Sequence, residues 1–318
     1  MSPSSRESGE PHEAEDASAG SSPQPQGMEL PEDTSLPLFV YGALKPGMPA
    51  FEQIRSFVAS HTRVTTNGRL YVRDGIPLLH VGQEHGNTTG ALLAWRPGKQ
   101  VDAYKTVCQF EPRKHYKWHK QSVSAGLMAN VLVDLHPTKG NPQPVEADEW
   151  RLFDDPAFSH GLKVVRGVLI ELKNDQDDGA QNRFFRAQMA YLLLWSILER
   201  LSGLSFGTTM DPTQRAISMH SLPGMSDIVA RRVGREDSVT DSRDPAKSYR
   251  LNGQNTKKCF QYYYQVRSNL SHRGKGAYSE FNKVHGSLEE LTGIVEEYLA
   301  SLNAQSLSCA DASGPAVG

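Results

Sequence analysis

The feature that most constrains this chain is a change of period at PTKGNPQP, residues 137–144. Before it, short apolar runs alternate with turn residues: LPLFVYGAL, TTNGRLYV, GIPLLHV, TTGALLAW and AGLMANVLVDL are each bounded by or contain Gly, Asn or Pro and read as strands. Only AFEQIRSFVAS and VDAYKTVCQF show helical spacing there. After it the spacing turns helical. FSHGLKVVRGVLIEL puts Phe158, Leu162, Val165 and Leu169 on one stripe, and AQNRFFRAQMAYLLLWSILERL is apolar on most faces around Tyr191 to Leu198, as a central helix of a bundle would be. A run of turn formers between two periods marks a boundary.

The expected fold class is therefore α+β in two domains with two cores, a small mostly β barrel followed by an all-α helical bundle. The expected boundaries are a disordered acidic tail over 1–35, the barrel over 36–136, a linker over 137–149, the helical domain over 150–302 and a second disordered tail over 303–318. Residues 203–255, rich in Gly, Ser, Asp and Arg, read as a connecting region with short helical pieces such as SDIVARRV. KKCFQYYYQVRSNLSHR and GSLEELTGIVEEYLASL supply two further helices.

Composition removes several function classes. The first 35 residues hold one Arg against eight acids and little apolar surface, so they cannot offset the entropy of ordering. They contain no basic start followed by an apolar stretch, which excludes a signal peptide reading. The apolar run AYLLLW, Ala190 to Trp195, is too short for a bilayer, so no membrane partner is expected. Cys108, Cys259 and Cys309 lie far apart without ligand spacing, arguing against a disulfide framework and a zinc site. His115 and His119, four apart, find no third ligand. No metal and no cofactor are expected, and a cytoplasmic location fits best. Around the net charge of −2, the acidic tail leaves residues 36–318 mildly basic. The basic residues gather between Lys257 and Lys283, a patch suited to an anionic ligand although a solvated face gives the same pattern.

Two short stretches carry chemistry. In LFVYGALKPG, Leu38 to Gly47, an apolar strand runs into a Gly/Pro turn; Gly42 permits close backbone approach to a ligand, and the N–H groups after it can hold a carboxylate or oxyanion. In FEPRKHYKW, Phe110 to Trp118, Glu111 follows a helical segment with Tyr116 five positions on. Together these resemble the gamma-glutamyl cyclotransferase-like family, with its YGxLxxG loop after the first strand and its glutamate beside a Phe. The resemblance covers roughly residues 36–136. It implies that the substrate's α-amine attacks its own γ-amide carbonyl, releasing 5-oxoproline and an amine, with Glu111 as general base. Tyr41, Gly42, Ala43, Leu44, Lys45 and Tyr116 would bind a small γ-glutamyl-type molecule. The chain departs from the family at Pro112, where Gly is usual.

The second stretch is VRSNLSHRGKG, residues 266–276. Arg267 and His272 stand five apart, about 140° apart around a helix, and Asn269 shares a face with His272. Gly274 and Gly276 end the helix, leaving His272 and Arg273 where cations favour the dipole. Capping alone explains such a pattern. With the aromatic helix before it and the acidic amphipathic helix after it, the stretch resembles HEPN domains of the Apea-like branch over about residues 150–302. That resemblance implies metal-independent cleavage of RNA in a toxin or defence role, at a cleft between two protomers of a homodimer. His272 would be general acid or base, Arg267 would neutralise phosphoryl charge, and Asn269 and Arg273 would position or bind the RNA. Glu199 in WSILER could orient Arg267 across the bundle. The alternatives left open are a cyclotransferase with a purely dimerising helical domain, or a non-catalytic scaffold.

Overall fold

Alternating β-branched and aromatic residues build the N-terminal half. The computed structural model describes residues 28–82, 86–111, 114–124, 126–174, 179–207, 210–272 and 280–311. In chain order the half contains β1 (Leu38–Val40), α1 (Phe51–Ile54), β2 (Val58–Asn67), β3 (Arg69–Arg73), β4 (Ile76–His80), β5 (Asn87–Trp95), α2 (Gln100–Phe110), β6 (Tyr116–Val123), β7 (Leu127–Asp134) and β8 (Gln143–Pro144). β1, β5, β2, β6 and β7 form a closed barrel in that order, the parallel pairing of β1 with β7 closing it at Leu38 opposite Asn130. β4, β3 and β8 make a second sheet beside it. All three residues of β1 are buried, as a strand with covered faces requires. α2 buries Ala103, Tyr104, Val107 and Cys108, one stripe at helical spacing.

Three expectations change in this half. AFEQIRSFVAS is helical only at α1 and a following 3₁₀ turn, Arg55–Phe57; from Val58 the chain is strand, because the polar, β-branched run to Asn67 offers the pleated face of an antiparallel partner to β5. Residues 28–35, expected in the tail, pack on the barrel: Met28 is buried, its N–H reaches the Cys108 carbonyl, and Trp118 Nε1 donates to the Glu29 carbonyl at 2.7 Å. The rest of that tail lies outside the described residues. Residues 137–149, expected as a linker, contribute β8 to the edge of β3, and Thr89 N–H donates to the Asp148 carbonyl at 2.7 Å.

The C-terminal half follows as α3 (Leu162–Asn174), α4 (Ala180–Phe206), α5 (Pro212–Ser218), α6 (Met225–Arg232), β9 (Asp237–Thr240), β10 (Ser248–Leu251), α7 (Thr256–His272) and α8 (Phe281–Asp311). It is not all-α, because β9 and β10 pair as an antiparallel hairpin inside the stretch read as connecting region. α8 also continues helical to Asp311, past the expected start of the C-terminal tail. α4 is the central helix: Tyr191, Leu194, Leu198 and Leu201 are fully buried. Tyr262 and Tyr263 of α7 lie wholly in the core, which leaves the half-buried Tyr264 as the accessible ring of that trio.

The two expected cores are one. Buried side chains of the barrel, of the segment through Trp150 and Leu152, and of the helices form one hydrophobic cluster. Polar contacts follow the same seam. Asp155, just past that segment, accepts a 2.7 Å hydrogen bond from Arg200 Nε on α4. Gly75, in the β3–β4 turn, has φ +75°, and a Cβ there would come within 2.9 Å of Arg200 Nη2. Among the described residues no helix is long and apolar enough to cross a membrane.

Candidate active site

β1 delivers the chain directly into a loop that folds back on itself. Lys45 N–H donates to the Gly42 carbonyl at 3.1 Å, and Ala50 N–H to the Ala43 carbonyl at 3.1 Å, while none of the Gly42, Ala43 and Leu44 N–H groups has a backbone acceptor among the described residues. Tyr41 fixes the loop to the barrel: its hydroxyl donates to the Leu132 carbonyl of β7 at 2.6 Å and accepts from Leu79 N–H of β4. Burial, with the Glu111 carboxyl nearby, holds the Tyr41 phenol well above its ordinary pKa, so it stays neutral. Gly42 is required sterically, since a Cβ there would stand 2.9 Å from Pro77 Cγ, part of a rigid ring.

The end of α2 supplies the acid. Glu111 is the C-cap, turned to extended backbone while its N–H still bonds the Val107 carbonyl at 2.9 Å. Its side chain therefore leaves the helix axis and enters a cavity of about 290 Å³. Tyr41, Gly42, Ala43, Leu44 and Tyr116 line the same cavity. Glu111 keeps partial exposure as a residue because it faces this space, but its carboxyl is surrounded by protein. That burial raises its pKa to about 7. Tyr116 donates to the Pro77 carbonyl at 2.8 Å, and burial, followed by the nearby Glu111 carboxyl, keeps its phenol protonated.

Lys45 stands apart. The residue is 5% exposed, its ammonium bonds Glu149 Oε1 at 2.6 Å and the Trp150 carbonyl at 2.8 Å, and it is not among the described residues lining the cavity. Burial pulls its pKa down against the pull of Glu149. Lys45 thus joins the loop to the segment once read as linker.

Of the opposite wall the sequence marks only Glu199, and that as a partner for Arg267 rather than as part of this cavity. Glu199 and Arg200 of α4 and Arg215 of α5 line the cavity, so the helical half completes it. Glu199 Oε1 accepts from Trp195 Nε1 at 2.8 Å and lies 3.9 Å from Arg267 Nη2. Asn269 is buried and occupied: its Oδ1 accepts from Ser242 N–H and from Gln265 Nε2, and its Nδ2 donates to the Thr240 carbonyl, tying the β9–β10 hairpin to α7. His272 is the last residue of α7; its side chain, Arg273 and Pro112 lie outside the described residues. Among the described residues no group of three His, Cys, Asp or Glu side chains is placed for a metal ion.

The family model of "Gamma-glutamyl cyclotransferase, AIG2-like" matches residues 38–152. Those residues form a gamma-glutamyl cyclotransferase, AIG2-like domain. The domain runs beyond the expected end at 136 and takes in β8, Glu149 and Trp150. It contains the loop, Glu111 and Tyr116, and it ends before every residue of the helical wall. Two solved structures are similar to part of the chain. One, an uncharacterized protein from Pyrococcus horikoshii, is 16% identical with a TM-score of 0.30, over 40% of this chain and 96% of that one. The other, YkqA from Bacillus subtilis, is 16% identical with a TM-score of 0.30, over 39% of this chain and 42% of that one. No curated protein matches the chain.

Proposed function

We propose that the cavity is the active site of a γ-glutamyl cyclotransferase. The observation that carries this is the Glu111 carboxyl, buried in a cavity against the Tyr41–Leu44 loop, with a pKa raised to about 7. In the reaction the α-amine of a γ-glutamyl ligand attacks its γ-amide carbonyl; one C–N bond forms, the amide C–N bond breaks, and 5-oxoproline and an amine leave. Glu111 takes a proton from the ammonium and gives it to the departing nitrogen; the second proton, lost by the attacking nitrogen as the ring closes, follows to the amine, which leaves as an ammonium. A carboxyl that titrates near neutrality can do both, since acceptor and donor forms are both populated. Ring closure within one molecule needs chiefly orientation, which the loop N–H groups and the cavity walls supply.

The test is incubation of the full chain with a panel of γ-glutamyl amines and amino acids, with detection of 5-oxoproline. Release by the native chain and loss in Glu111→Gln supports the reading; no release from any member of the panel removes it.

A second reading, RNA cleavage by the helical half as a homodimer, draws support from the half-exposed Arg267 near the end of α7. In it, Arg267 and His272 act on the phosphate, and Asn269, committed to the hairpin, holds the helix end in place. Its test is RNA incubated with the full chain and a chelator. Fragments ending in 2′,3′-cyclic phosphate, lost in His272→Ala, favour it; intact RNA in both samples excludes it.

A further inference from the structure

Arg200 and Arg215 are unusual among the cavity residues because each carries a buried N–H nitrogen that meets no acceptor, Nη2 of Arg200 and Nε of Arg215. Among the described residues their other bonds are few. Arg200 Nε is held by Asp155, and Arg215 Nη1 donates to the Gly207 carbonyl at 3.0 Å. Asp155 offsets the charge of Arg200, whereas no carboxylate pairs with Arg215 among the described residues. A buried guanidinium N–H without an acceptor is costly, and two guanidinium groups in one cavity wall, one of them without a carboxylate partner among the described residues, give that wall a positive charge suited to an anionic ligand. The neighbouring acids do not supply that acceptor. Glu199 is turned to Trp195 Nε1 and Arg267, and nothing among the described residues donates to Glu111, whose raised pKa stems from burial alone.

We infer that Arg200 and Arg215 form a carboxylate-binding subsite, contributed by the helical half to the cavity of the cyclotransferase-like domain. The planar guanidinium fork matches a carboxylate, and partial shielding from water strengthens each charge-assisted bond. This inference deepens the proposed function and rests on it for the ligand class, a γ-glutamyl compound. Such a ligand has two sources of a carboxylate: the α-carboxylate of its glutamyl part, or an acid group on the amine that leaves. In either case the helical half selects the ligand, while Glu111 and the loop, on the barrel, act on it.

Binding to the full chain carrying Glu111→Gln, which removes the base and prevents turnover, separates the possibilities. Calorimetry would use three probes: γ-glutamylalanine, with both carboxylates; γ-glutamylethylamine, with the α-carboxylate only; and the α-carboxamide of γ-glutamylethylamine, with neither. Arg215 is the position to change, because Arg200 also bonds Asp155 across the seam. Adding Arg215→Met is expected to weaken carboxylate-bearing probes on the order of tenfold to a hundredfold and leave the third unchanged. A loss confined to γ-glutamylalanine assigns the subsite to the leaving amine; a loss shared with γ-glutamylethylamine assigns it to the α-carboxylate. Arg215→Lys, which keeps the charge, should recover part of the affinity. With Arg215 in place, at least γ-glutamylalanine must already bind more tightly than the probe without a carboxylate. Equal affinity of all three, an equal loss for all three on Arg215→Met, or no binding of any overturns the subsite. Turnover by the native chain is scored separately: 5-oxoproline release without carboxylate preference leaves the cyclotransferase standing and the subsite fallen, and preference without release does the reverse.

Discussion

Glu111 is placed by a helix end and tuned by its surroundings, and these two contributions have different visibility. Its position beside Phe110 and ahead of Tyr116 is a pattern in the sequence; its pKa of about 7 comes from a cavity that only the fold creates. The sign of the consequence is fixed. Folding raises the pKa, so the protonated form is favoured in the native state, and the ionised form costs stability as pH climbs through 7. Replacing Glu111 by Gln removes that cost. The variant is expected to be more stable than the native chain by up to about 3 kcal/mol at pH 8, with the gap mostly closed at pH 5, while 5-oxoproline release is lost. Denaturant titrations at the two pH values check it, and equal stability of the two proteins at pH 8 would contradict the burial argument. In the native chain kcat/KM should rise about tenfold per pH unit below 7 and level off above it. Arg200 and Arg215 show the opposite case: in SILERLSG and PTQRAIS they look like ordinary helix-surface arginines, because nothing local tells that a barrel will sit against those faces.

At the scale of elements, the loop depends on how closely β1 can approach β5. Gly90 of β5 makes that approach possible: a Cβ there would run into the Val40 carbonyl and stand 2.7 Å from Phe39 Cζ. Neither neighbour can yield, one being backbone and the other a ring buried at 1% exposure. Gly90→Ala must therefore push β1 outward, at a cost of roughly 1–3 kcal/mol. Since β1 runs straight into Tyr41–Leu44, the same shift should lower kcat/KM for γ-glutamyl substrates more than a surface variant of equal instability, such as one at the exposed Ile170 of α3. A proportional loss in both would show that stability, not loop placement, is what Gly90 protects. The apolar run in TTGALLAW makes β5 readable as a strand, but not the role of its glycine, which depends on which strand lies across from it. The same limit explains β2: HTRVTTN has few apolar residues to set a period, and its pairing with β5 decides the outcome. The β9–β10 hairpin is hard to read for a related reason: its short strands give the core only Val239 and Leu251, with Tyr249 beside it, too few to set a period, and Asn269 anchors their connection to α7.

At the scale of the whole molecule, the sequence shows two periods and the structure one core. A boundary in period marks where one kind of element gives way to another; whether the two sets then share a core depends on whether their apolar faces meet. Here they do, because Trp150 and Leu152, at the end of the cyclotransferase-like domain, are buried in the same cluster as the helices, and Asp155 and Arg200 close the seam. Halves that share a core lose it together. Calorimetry of the full chain should therefore give a single transition with calorimetric and van't Hoff enthalpies in agreement, rather than separate barrel and bundle transitions. Asp155→Ala tests the seam directly: it strands the Arg200 guanidinium against the core, costs up to about 3 kcal/mol, and should split the transition or make it less cooperative. A γ-glutamyl ligand held between the two walls should raise the midpoint of that one transition and slow amide exchange in α4 as well as in β1, because it binds only when both walls are folded. Two resolved transitions in the native chain, or protection confined to the barrel, would mean that the helical half covers the cavity without belonging to the site.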